Sequence, residues 1–355
     1  MIIKSLTLKG FRNHDYLTYD FHPGLNVISG PNGAGKTNIV EAIYYLSLAR
    51  SFRLNDLDGL IKKDKENAEI YAEISEGQLV RKIRIVLTSE GHQIYINNKP
   101  VNKVSDLAKI VNVILFEPKD VLLFRGSPRA RRNFLDISLS KKSPSYLDYI
   151  TRYEKVLKER NELLKGENVD KTLLETTTEM LVKLSSPIVA YRQMYVKDIN
   201  DILNKITRAL TGEESKLEVI YKPFVENSVD FEEKALDVFK RAEESDLRKK
   251  ATSVGIHRED FSVNLNGRDV GEFGSQGENR IAALALKLSP YFLIDDRDKR
   301  PIVALDDVMS ELDQNHRLRL VNFLKKFEQV FITATRLEID GASHYQIKKK
   351  KKEVF

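Results

Sequence analysis

The segment from Gly30 to Thr37 reads GPNGAGKT and matches the phosphate-binding pattern G-x-x-x-x-G-K-[ST] without a gap. In such a loop, glycines let backbone N–H groups surround a polyphosphate, the lysine reaches the outer phosphates, and the final hydroxyl binds Mg²⁺. Lys36 and Thr37 are therefore predicted to hold phosphate and metal. The predicted nucleotide-binding residues are Gly30, Pro31, Asn32, Gly33, Ala34, Gly35, Lys36, Thr37 and Asn38.

Two acidic residues near the C-terminus could complete this chemistry. The run from Pro301 to Leu305 is apolar throughout, as in a buried parallel strand, and it ends in Asp306 and Asp307. Alone, such a run would indicate an ordinary core strand followed by a polar turn. A phosphate loop upstream favours a metal-binding acid. Asp306 is predicted to bind Mg²⁺ and Asp307 to orient the attacking water, which makes Lys36, Asp306 and Asp307 the predicted catalytic residues.

A third phosphate-shaped element is the turn Ser275-Gln276-Gly277-Glu278, which precedes a strongly apolar helix predicted from Arg280 to Ser289 and closed by Pro290. By itself the turn is a good helix N-cap. One nucleotide does not need two phosphate-binding ends. We therefore predict that Ser275, Gln276 and Gly277 act in trans, on nucleotide held by a second copy. A two-fold dimer makes that arrangement self-complementary.

Local patterns predict the elements that position these residues. Leu25 to Ile28 is a short β-prone run before the phosphate loop, and a helix from Asn38 to Leu48 follows it. The loop Ser310-Glu311-Leu312-Asp313 is expected to face a dimer partner. An apolar helix face follows, and Thr333-Ala334-Thr335 lies where a γ-phosphate sensor would be expected. That face contains Leu318, Val321, Leu324 and Phe327.

The remaining pattern indicates two lobes. Alternating residues predict strands in the first hundred positions, including an edge strand at the N-terminus, and two helical stretches follow, the second from about Lys171 to Leu210 with Pro187 expected to kink or split it. Strand character returns at Lys216 to Tyr221 and Phe261 to Leu265, with a hairpin turn at Asn266-Gly267. The predicted lobes are 1–115 with 255–355, and a mainly helical lobe over 116–254, with the turn 274–279 at its return.

Composition limits the class of protein. The 355 residues are 41% hydrophobic and 31% charged, with no cysteine and a formal net charge of +6. The chain therefore has no disulfides or thiolate metal sites, which agrees with a cytoplasmic location. Neither a membrane-spanning run nor a signal peptide is expected. The positive charge modestly favours an anionic partner. A run of five lysines at 348–352 is expected to be solvated tail.

Taken together, these motifs resemble the RecF family of bacterial recombination and gap-repair ATPases, whose heads are similar to those of SMC-class and other ABC-type ATPases. The resemblance is spread over nearly the whole chain. The segments that carry it are GPNGAGKTNIVEAIYYLS (30–47), RSFR (50–53), FEPKD (116–120), GSP (126–128), RRNFLD (131–136), KERNELL (158–164), HRED (257–260), SQGE (275–278) and LDDVMSELD (305–313).

The resemblance implies an α/β, ABC-type P-loop ATPase head of mixed sheets and helices, with an inserted compact helical lobe and no long coiled coil. It implies ATP and Mg²⁺ as cofactors, and Asp306 as the acidic metal ligand. Two departures stand out. Asn279 occupies a position where a longer polar residue is expected, and no glutamine loop of the transporter type is evident, although Phe116 to Asp120 occupies roughly that place.

The resemblance also implies partners: duplex DNA, single-strand/double-strand junctions and single-stranded DNA, the proteins RecR and RecO, and a role in loading RecA. Clustered cations are needed for phosphate contacts. Salt bridging between lobes is an equally good explanation for Arg131 and Arg132, and His257 and Arg258 are expected to be structural. The candidate DNA-binding residues are Arg50, Arg53, Arg129, Arg131 and Arg132.

These features predict an ATP-dependent DNA-binding dimer with slow turnover, because Asp307 is shorter than a glutamate and must hold its water from farther back. The first alternative is an SMC-like head ATPase that acts mainly on protein partners. A P-loop kinase is a third possibility, but a kinase has no use for the turn at Ser275 or the loop at Ser310 to Asp313.

Overall fold

A computed structural model describes residues 1–54, 56–101, 104–108 and 110–348. Most of the lysine run, residues 349–352, lies outside the described residues. The chain forms two compact units. Unit 1 combines Met1–Asp120, Arg208–Glu213 and the chain from Leu284 onward, and unit 2 combines Val121–Thr207 with Glu214–Ala283. Across the described residues, no helix is both long enough and apolar enough to cross a membrane.

The described residues form runs of strands and runs of helices. The strands are β1 (Ile2–Phe11), β2 (His14–Asp20), β3 (Gly24–Ser29), β4 (Ala68–Glu76), β5 (Leu79–Thr88), β6 (Gly91–Ile96), β7 (Lys99–Val101), β8 (Val113–Phe116), β9 (Leu217–Lys222), β10 (Asp260–Leu265), β11 (Arg268–Asp269), β12 (Ile302–Leu305), β13 (Gln329–Ala334) and β14 (Ser343–Gln346). The helices are α1 (Lys36–Leu48), α2 (Val104–Ala108), α3 (Pro128–Lys142), α4 (Pro144–Lys165), α5 (Lys171–Thr211), α6 (Phe231–Lys249), α7 (Val270–Phe273), α8 (Gln276–Phe292) and α9 (Gln314–Leu324).

The central sheet of unit 1 is parallel throughout, in the order β14-β3-β13-β12-β8. Every residue of β8, β12 and β13 is buried, as expected for parallel strands covered on both faces. The carboxyl ends of β3, β12 and β13 lead directly into the phosphate loop, the acidic pair and Thr335. Ligands of open parallel sheets bind at this edge. The predicted acidic strand is thus confirmed as a strand beside the site.

A second sheet of unit 1 is antiparallel, in the order β2-β1-β4-β5-β6-β7. The predicted edge strand at the N-terminus is wrong, because β1 pairs with β2 on one side and with β4 on the other. Residue alternation reports which face of a strand is buried and carries no information about its neighbours. The buried side chain of Gln329 ties the two sheets together by accepting from the Ile3 amide and donating to the Ile3 carbonyl.

Unit 2 contains α3, α4, α6 and most of α5, together with a small sheet in the order β11-β10-β9. The predicted boundary at 254/255 is shifted, since the chain from Glu214 onward returns to unit 1 at Leu284. Strand β10 pairs with β9 over its whole length, which holds residues 260–265 with the helices that precede them. The turn 274–279 consequently belongs to unit 2. The predicted hairpin at Asn266-Gly267 is confirmed between β10 and β11.

Prolines interrupt the helices less than the sequence predicts. Helix α5 runs for 41 residues with Pro187 inside it, and α8 continues past Pro290 to Phe292. An interior proline removes one backbone hydrogen bond, but Ser185, Ile188 and Val189 beside it are each 0% exposed, and this packing holds the helix together. The apolar face predicted for α9 is also narrower than expected, because Leu318 is 62% exposed.

Two arginines organise the interior of unit 2. Arg192 is 1% exposed and donates to Glu259 at 2.5 Å and to Asp136 at 2.7 Å. Arg160 is equally buried and pairs with Asp246 at 2.9 Å. Removing one partner of such a pair leaves an uncompensated buried charge, which costs about 3–5 kcal/mol. These contacts fix the positions of helices that are far apart in sequence.

His257 belongs to the same interior and gives a pH-dependent stability. Its Nδ1 lies 2.9 Å from the Tyr153 hydroxyl and its Nε2 lies 3.1 Å from the Thr252 carbonyl. Burial lowers the pKa of His257 to about 4 from an ordinary value of 6.5. The prediction that His257 is structural agrees with this placement.

The neutral imidazole makes unit 2 less stable in acid. The unfolded chain takes up a proton near pH 6.5 that the folded chain resists until about pH 4, so stability falls as pH falls between these values. We expect His257→Gln to flatten this part of the pH profile of the free energy of unfolding, measured in urea. The exposed His22→Gln is the control. Equal pH slopes for wild type and His257→Gln would contradict the prediction.

Candidate functional site

The phosphate loop joins β3 to α1 and leaves the start of that helix open. Gly35 is the N-cap residue of α1, in the left-handed conformation at φ 104°, and no side chain caps the helix. The first N–H groups of a helix have no carbonyl one turn earlier to bond. Together with the helix dipole, these free amides favour an anion at this position. The loop therefore has the backbone geometry that the sequence predicts for a phosphate site.

Lys36 is 8% exposed, and its ammonium group is held inside the loop. Its Nζ donates to the carbonyl oxygens of Gly30 at 2.8 Å and Pro31 at 3.1 Å. These carbonyls hold a cation at the mouth of the loop, where phosphate oxygens can replace them as acceptors.

Thr37 and the acidic pair meet at the carboxyl edge of the central sheet. The Thr37 hydroxyl donates to Asp306 Oδ1 at 3.0 Å, and the Thr333 hydroxyl donates to the same oxygen at 2.7 Å. Thr333 Oγ1 in turn accepts from the Asp307 amide at 2.9 Å. One buried threonine on β13 thus fixes both acidic residues. Asp307 adopts the left-handed conformation, at φ 49°.

The donor set suits a small hard cation. Thr37 contributes a hydroxyl and Asp306 a carboxylate, the oxygen ligands that Mg²⁺ takes alongside substrate phosphates and water. Burial raises the pKa of Asp306, while the hydroxyls of Thr333 and Thr37 oppose that shift. A cation beside Asp306 would favour its charged form. The residues present therefore fit Mg²⁺ bound with a nucleotide.

The turn between β1 and β2 packs against the phosphate loop, a contact that sequence reasoning missed. Asn13 Nδ2 donates to the Ala34 carbonyl at 3.3 Å, and His14 Nε2 lies 3.3 Å from the Gly35 carbonyl. A Cβ on Gly35 would lie 2.5 Å from that imidazole nitrogen. The backbone angles of Gly35 favour glycine, and a side chain at this position would also have to displace the imidazole of His14. No local pattern marks such a long-range contact.

Glu41 of α1 was also missed, although it is 0% exposed. Arg12 binds it through two nitrogens, at 2.7 and 2.5 Å, and the Ser51 hydroxyl donates to it. Arg53 lies 3.8 Å from the same carboxylate and donates to Asn38 Oδ1 at 3.1 Å. A buried acid at this position needs partners, and these come from both sides of the phosphate loop. Arg53 consequently lies at the nucleotide site.

The segment from Phe116 to Asp120 begins beside Asp306. Phe116 pairs with Leu305 in the parallel register, and its carbonyl accepts from the Asp306 amide at 2.9 Å, so Glu117 and Asp306 follow neighbouring strands at the same edge. Burial and then the charge of Asp120 raise the pKa of Glu117 to about 7. Asp120 pairs with Lys287 of α8 at 2.8 Å. An acid therefore follows this strand beside Asp306.

In unit 2, Ser275 begins α8 with a reciprocal capping box. Its amide donates to Glu278 Oε2 at 2.8 Å, and the Glu278 amide donates to its hydroxyl at 3.2 Å. Asn279, the residue that departs from expectation, is 2% exposed and donates to the Gly274 and Ser275 carbonyls, each at 2.9 Å. Asn279 thus supports the turn from beneath. Gln276 and Gly277 remain exposed beside Ser275.

The loop that follows β12 and the loop that follows β13 also lie at the carboxyl edge of the central sheet of unit 1. Ser310 donates to the Asp307 carbonyl at 2.9 Å, and Asp313 caps α9 by accepting from two amides. The two threonines of the predicted γ-phosphate sensor, Thr333 and Thr335, differ in position. Thr333 is buried behind the two aspartates. Thr335 is exposed, and its hydroxyl oxygen lies 3.4 Å from Asn32 Oδ1 of the phosphate loop.

The arginines predicted to bind DNA separate into three groups. Arg131 binds both oxygens of Asp260, at 2.7 and 2.8 Å, and Arg132 donates to the Glu259 carbonyl at 2.5 Å. Because both guanidinium groups bind internal oxygens of unit 2, their predicted role in DNA binding is not supported by this geometry. Arg53 lies at the nucleotide site, as described above. Arg50 and Arg129 are exposed.

Comparisons with known proteins show the family to which this chain belongs. The family model described as the RecF/RecN/SMC N terminal domain matches residues 2–353. The DNA replication and repair protein RecF of Clostridium novyi (strain NT) is 37% identical over 339 residues, which cover 95% of this chain and 94% of that protein. The protein of the same name from Oceanobacillus iheyensis is 36% identical over 348 residues, covering 95% and 94%.

Solved structures give the same result. The recombination mediator protein RecF with ATP, described as part of the RecFOR pathway, matches with a TM-score of 0.89 and 31% identity, covering 98% of this chain and 97% of that one. The Smc head domain of Pyrococcus furiosus matches in fold alone, with a TM-score of 0.57 and 18% identity. The fold and site define an ABC-type ATPase head of the SMC-like class. Within that class, the chain belongs to the RecF family of DNA replication and repair proteins.

Proposed function

We propose that this chain is an ATP-dependent DNA-binding protein of recombinational gap repair, in which ATP joins two copies. The observation that carries the proposal is the hydrogen bond from Thr37 to Asp306, because it joins the phosphate loop to the acid that would share its metal. The similar RecF protein solved with ATP supports the choice of nucleotide.

Each residue of the site has a defined part in hydrolysis. Lys36 would exchange its carbonyl partners for the outer phosphates, and Thr37 and Asp306 would hold Mg²⁺, which would supply positive charge beside the phosphates. Asp307 orients the attacking water and accepts its proton. The buried Thr333 keeps Asp306 and Asp307 in fixed relation. We propose slow turnover, because the short side chain of Asp307 holds the water at a distance.

The exposed turn at Ser275 supplies the second half of the site in a dimer. Its hydroxyl accepts from the Glu278 amide, and its proton would turn from the Glu278 carboxylate to a γ-phosphate. With Gln276 and Gly277, it would cover the nucleotide of a second copy, and two-fold symmetry would create two such sites. ATP then favours the dimer, and hydrolysis releases it.

DNA binding rests on exposed cations and on the family. Arg50 and Arg129 are exposed and are the arginines we retain for phosphate contacts, which give salt-dependent binding with little sequence preference. Duplex DNA, single-strand/double-strand junctions and single-stranded DNA are the proposed ligands. RecR and RecO are the proposed protein partners, because the similar structures belong to the RecFOR pathway, and RecA loading at gaps is the proposed outcome.

The proposal is tested by fluorescence anisotropy on labelled gapped DNA, with and without ATP, alongside sedimentation velocity. We expect ATP to produce a dimer and to strengthen DNA binding, and added salt to weaken it. In Lys36→Met, which lacks the ammonium group, ATP should neither produce a dimer nor strengthen DNA binding. The proposal would be contradicted if DNA affinity were the same with and without ATP, or if the protein remained monomeric in both conditions. An ATP-dependent dimer without DNA affinity would favour the alternative of a head ATPase that acts on protein partners.

A further inference from the structure

One exposed arginine of unit 2 donates hydrogen bonds to the segment that leads into Ser275. Arg125 donates from Nε to the Gly271 carbonyl at 3.0 Å and from Nη2 to the Gly274 carbonyl at 2.9 Å. We propose that Arg125 is a positioning residue that holds Ser275 ready for the nucleotide of a second copy. This inference rests on the proposed function, since it gives that turn its task.

The two carbonyls that Arg125 binds belong to the short helix α7 and to the residue after it. Helix ends leave carbonyl groups without partners, and a cation near a helix C-terminus is favourable. Asp269 caps the other end of α7 by accepting from the Gly271 and Glu272 amides, at 2.7 and 3.1 Å. The segment that leads into Ser275 is thus fixed at both ends by charged side chains.

The carbonyl of Gly274, directly before Ser275, is held from two directions. Arg125 donates to it at 2.9 Å, and Asn279 donates to it at the same distance. A carbonyl oxygen has two lone pairs, and these two bonds use both. Since the Ser275 amide donates to Glu278 at 2.8 Å, both polar groups of the peptide that joins Gly274 to Ser275 are bonded, and this peptide has little freedom to rotate.

The backbone at both bound carbonyls lies close to neighbouring backbone. A Cβ on Gly271 would lie 2.6 Å from the Phe124 carbonyl, and a Cβ on Gly274 would lie 2.5 Å from the Val270 carbonyl. The backbone beside Arg125 therefore lies directly against α7. Arg125 reaches both carbonyls from this short distance.

The position of Arg125 indicates a role at the surface. Arg125, Ser275 and Gln276 are exposed, and Phe273 between the two bound carbonyls is 69% exposed. Rigid, exposed polar turns lose little conformational entropy when they meet a ligand, which strengthens binding without adding a contact. Without Arg125, ATP would still bind to the phosphate loop, but the second copy would close over it less often.

The test compares Arg125→Ala, Arg125→Lys and a control, Arg241→Gln, which breaks only an exposed pair with Asp237 at 3.7 Å. In protein without nucleotide, Arg125→Ala should speed amide hydrogen exchange over residues 270–279 by roughly tenfold, the effect expected from a lost charge-assisted hydrogen bond. With ATP, it should weaken dimerisation by a similar factor and leave ATP affinity unchanged. Arg125→Lys, which can reach one carbonyl, should recover part of both effects.

The inference is overturned if amide hydrogen exchange over residues 270–279 is unchanged in Arg125→Ala, whether or not dimerisation changes. This outcome leaves the proposed function intact. Faster exchange with wild-type dimerisation overturns the inference too, because the turn then needs no positioning. If wild-type protein itself stays monomeric with ATP, both proposals fail together. The inference is supported if Arg125→Ala shows faster exchange and weaker dimerisation with unchanged ATP affinity. Arg241→Gln should then show neither the faster exchange nor the weaker dimerisation.

Discussion

Asp307→Asn is expected to lower ATP turnover by about a hundredfold or more, the usual contribution of a general base. Asparagine keeps the shape of the side chain but cannot accept the proton of the attacking water. The backbone should stay in place, because the Asp307 amide still binds Thr333 and asparagine tolerates the left-handed conformation seen at φ 49°. The variant should therefore accumulate as an ATP-bound dimer.

Single-turnover hydrolysis and sedimentation velocity with ATP check this expectation. The matched control is Glu90→Gln, an exposed acid in the turn after β5, which should behave as wild type. Turnover within a few-fold of wild type would show that another group activates the water. Glu117, whose pKa is raised to about 7 by burial and Asp120, would then be the next residue to replace.

Ser275→Arg is expected to bind ATP with near wild-type affinity and to remain monomeric at concentrations where wild-type protein dimerises. The long cation would occupy the surface that meets the nucleotide of the second copy. It would also remove the hydroxyl that accepts from Glu278, a cap worth about 1 kcal/mol, so α8 should fray only slightly. The large effect should fall on association.

Nucleotide affinity by equilibrium binding and mass by sedimentation separate the two effects. Ser89→Arg adds the same charge at an exposed turn of unit 1 and serves as the control. Ser275→Ala, which loses the cap without adding bulk, shows how much of the loss comes from fraying alone. A Ser275→Arg protein that still dimerises with ATP would mean that this turn does not cover the nucleotide.

Local sequence patterns predicted the parts of the site that lie within single segments. The phosphate loop has its own strict spacing, and the apolar run before Asp306 identified a buried parallel strand. The N-cap predicted at Ser275 is likewise a short-range signal, and Ser275 caps α8 in the structure. In each case, the residues that determine the feature are within a few positions of one another.

Features that depend on distant partners could not be predicted. The contact of Asn13 and His14 with the phosphate loop, and the bond from Thr333 to Asp306, join segments that no periodicity relates. The N-terminal strand was wrongly placed at an edge for the same reason. Arg131 is a related case. Its place in a local basic cluster suggested DNA binding, but its partner in the structure is Asp260 of β10, which is distant in sequence.

The order of the central sheet has a consequence for synthesis of the chain. Strand β3, which carries the phosphate loop, lies between β13 and β14, and those neighbours come from residues 329–334 and 343–346. Domains generally fold as units while the ribosome extends the chain. Unit 2 is complete by Ala283, before the neighbours of β3 have been translated. A nascent chain would therefore acquire its nucleotide site only after residues 343–346 have been translated.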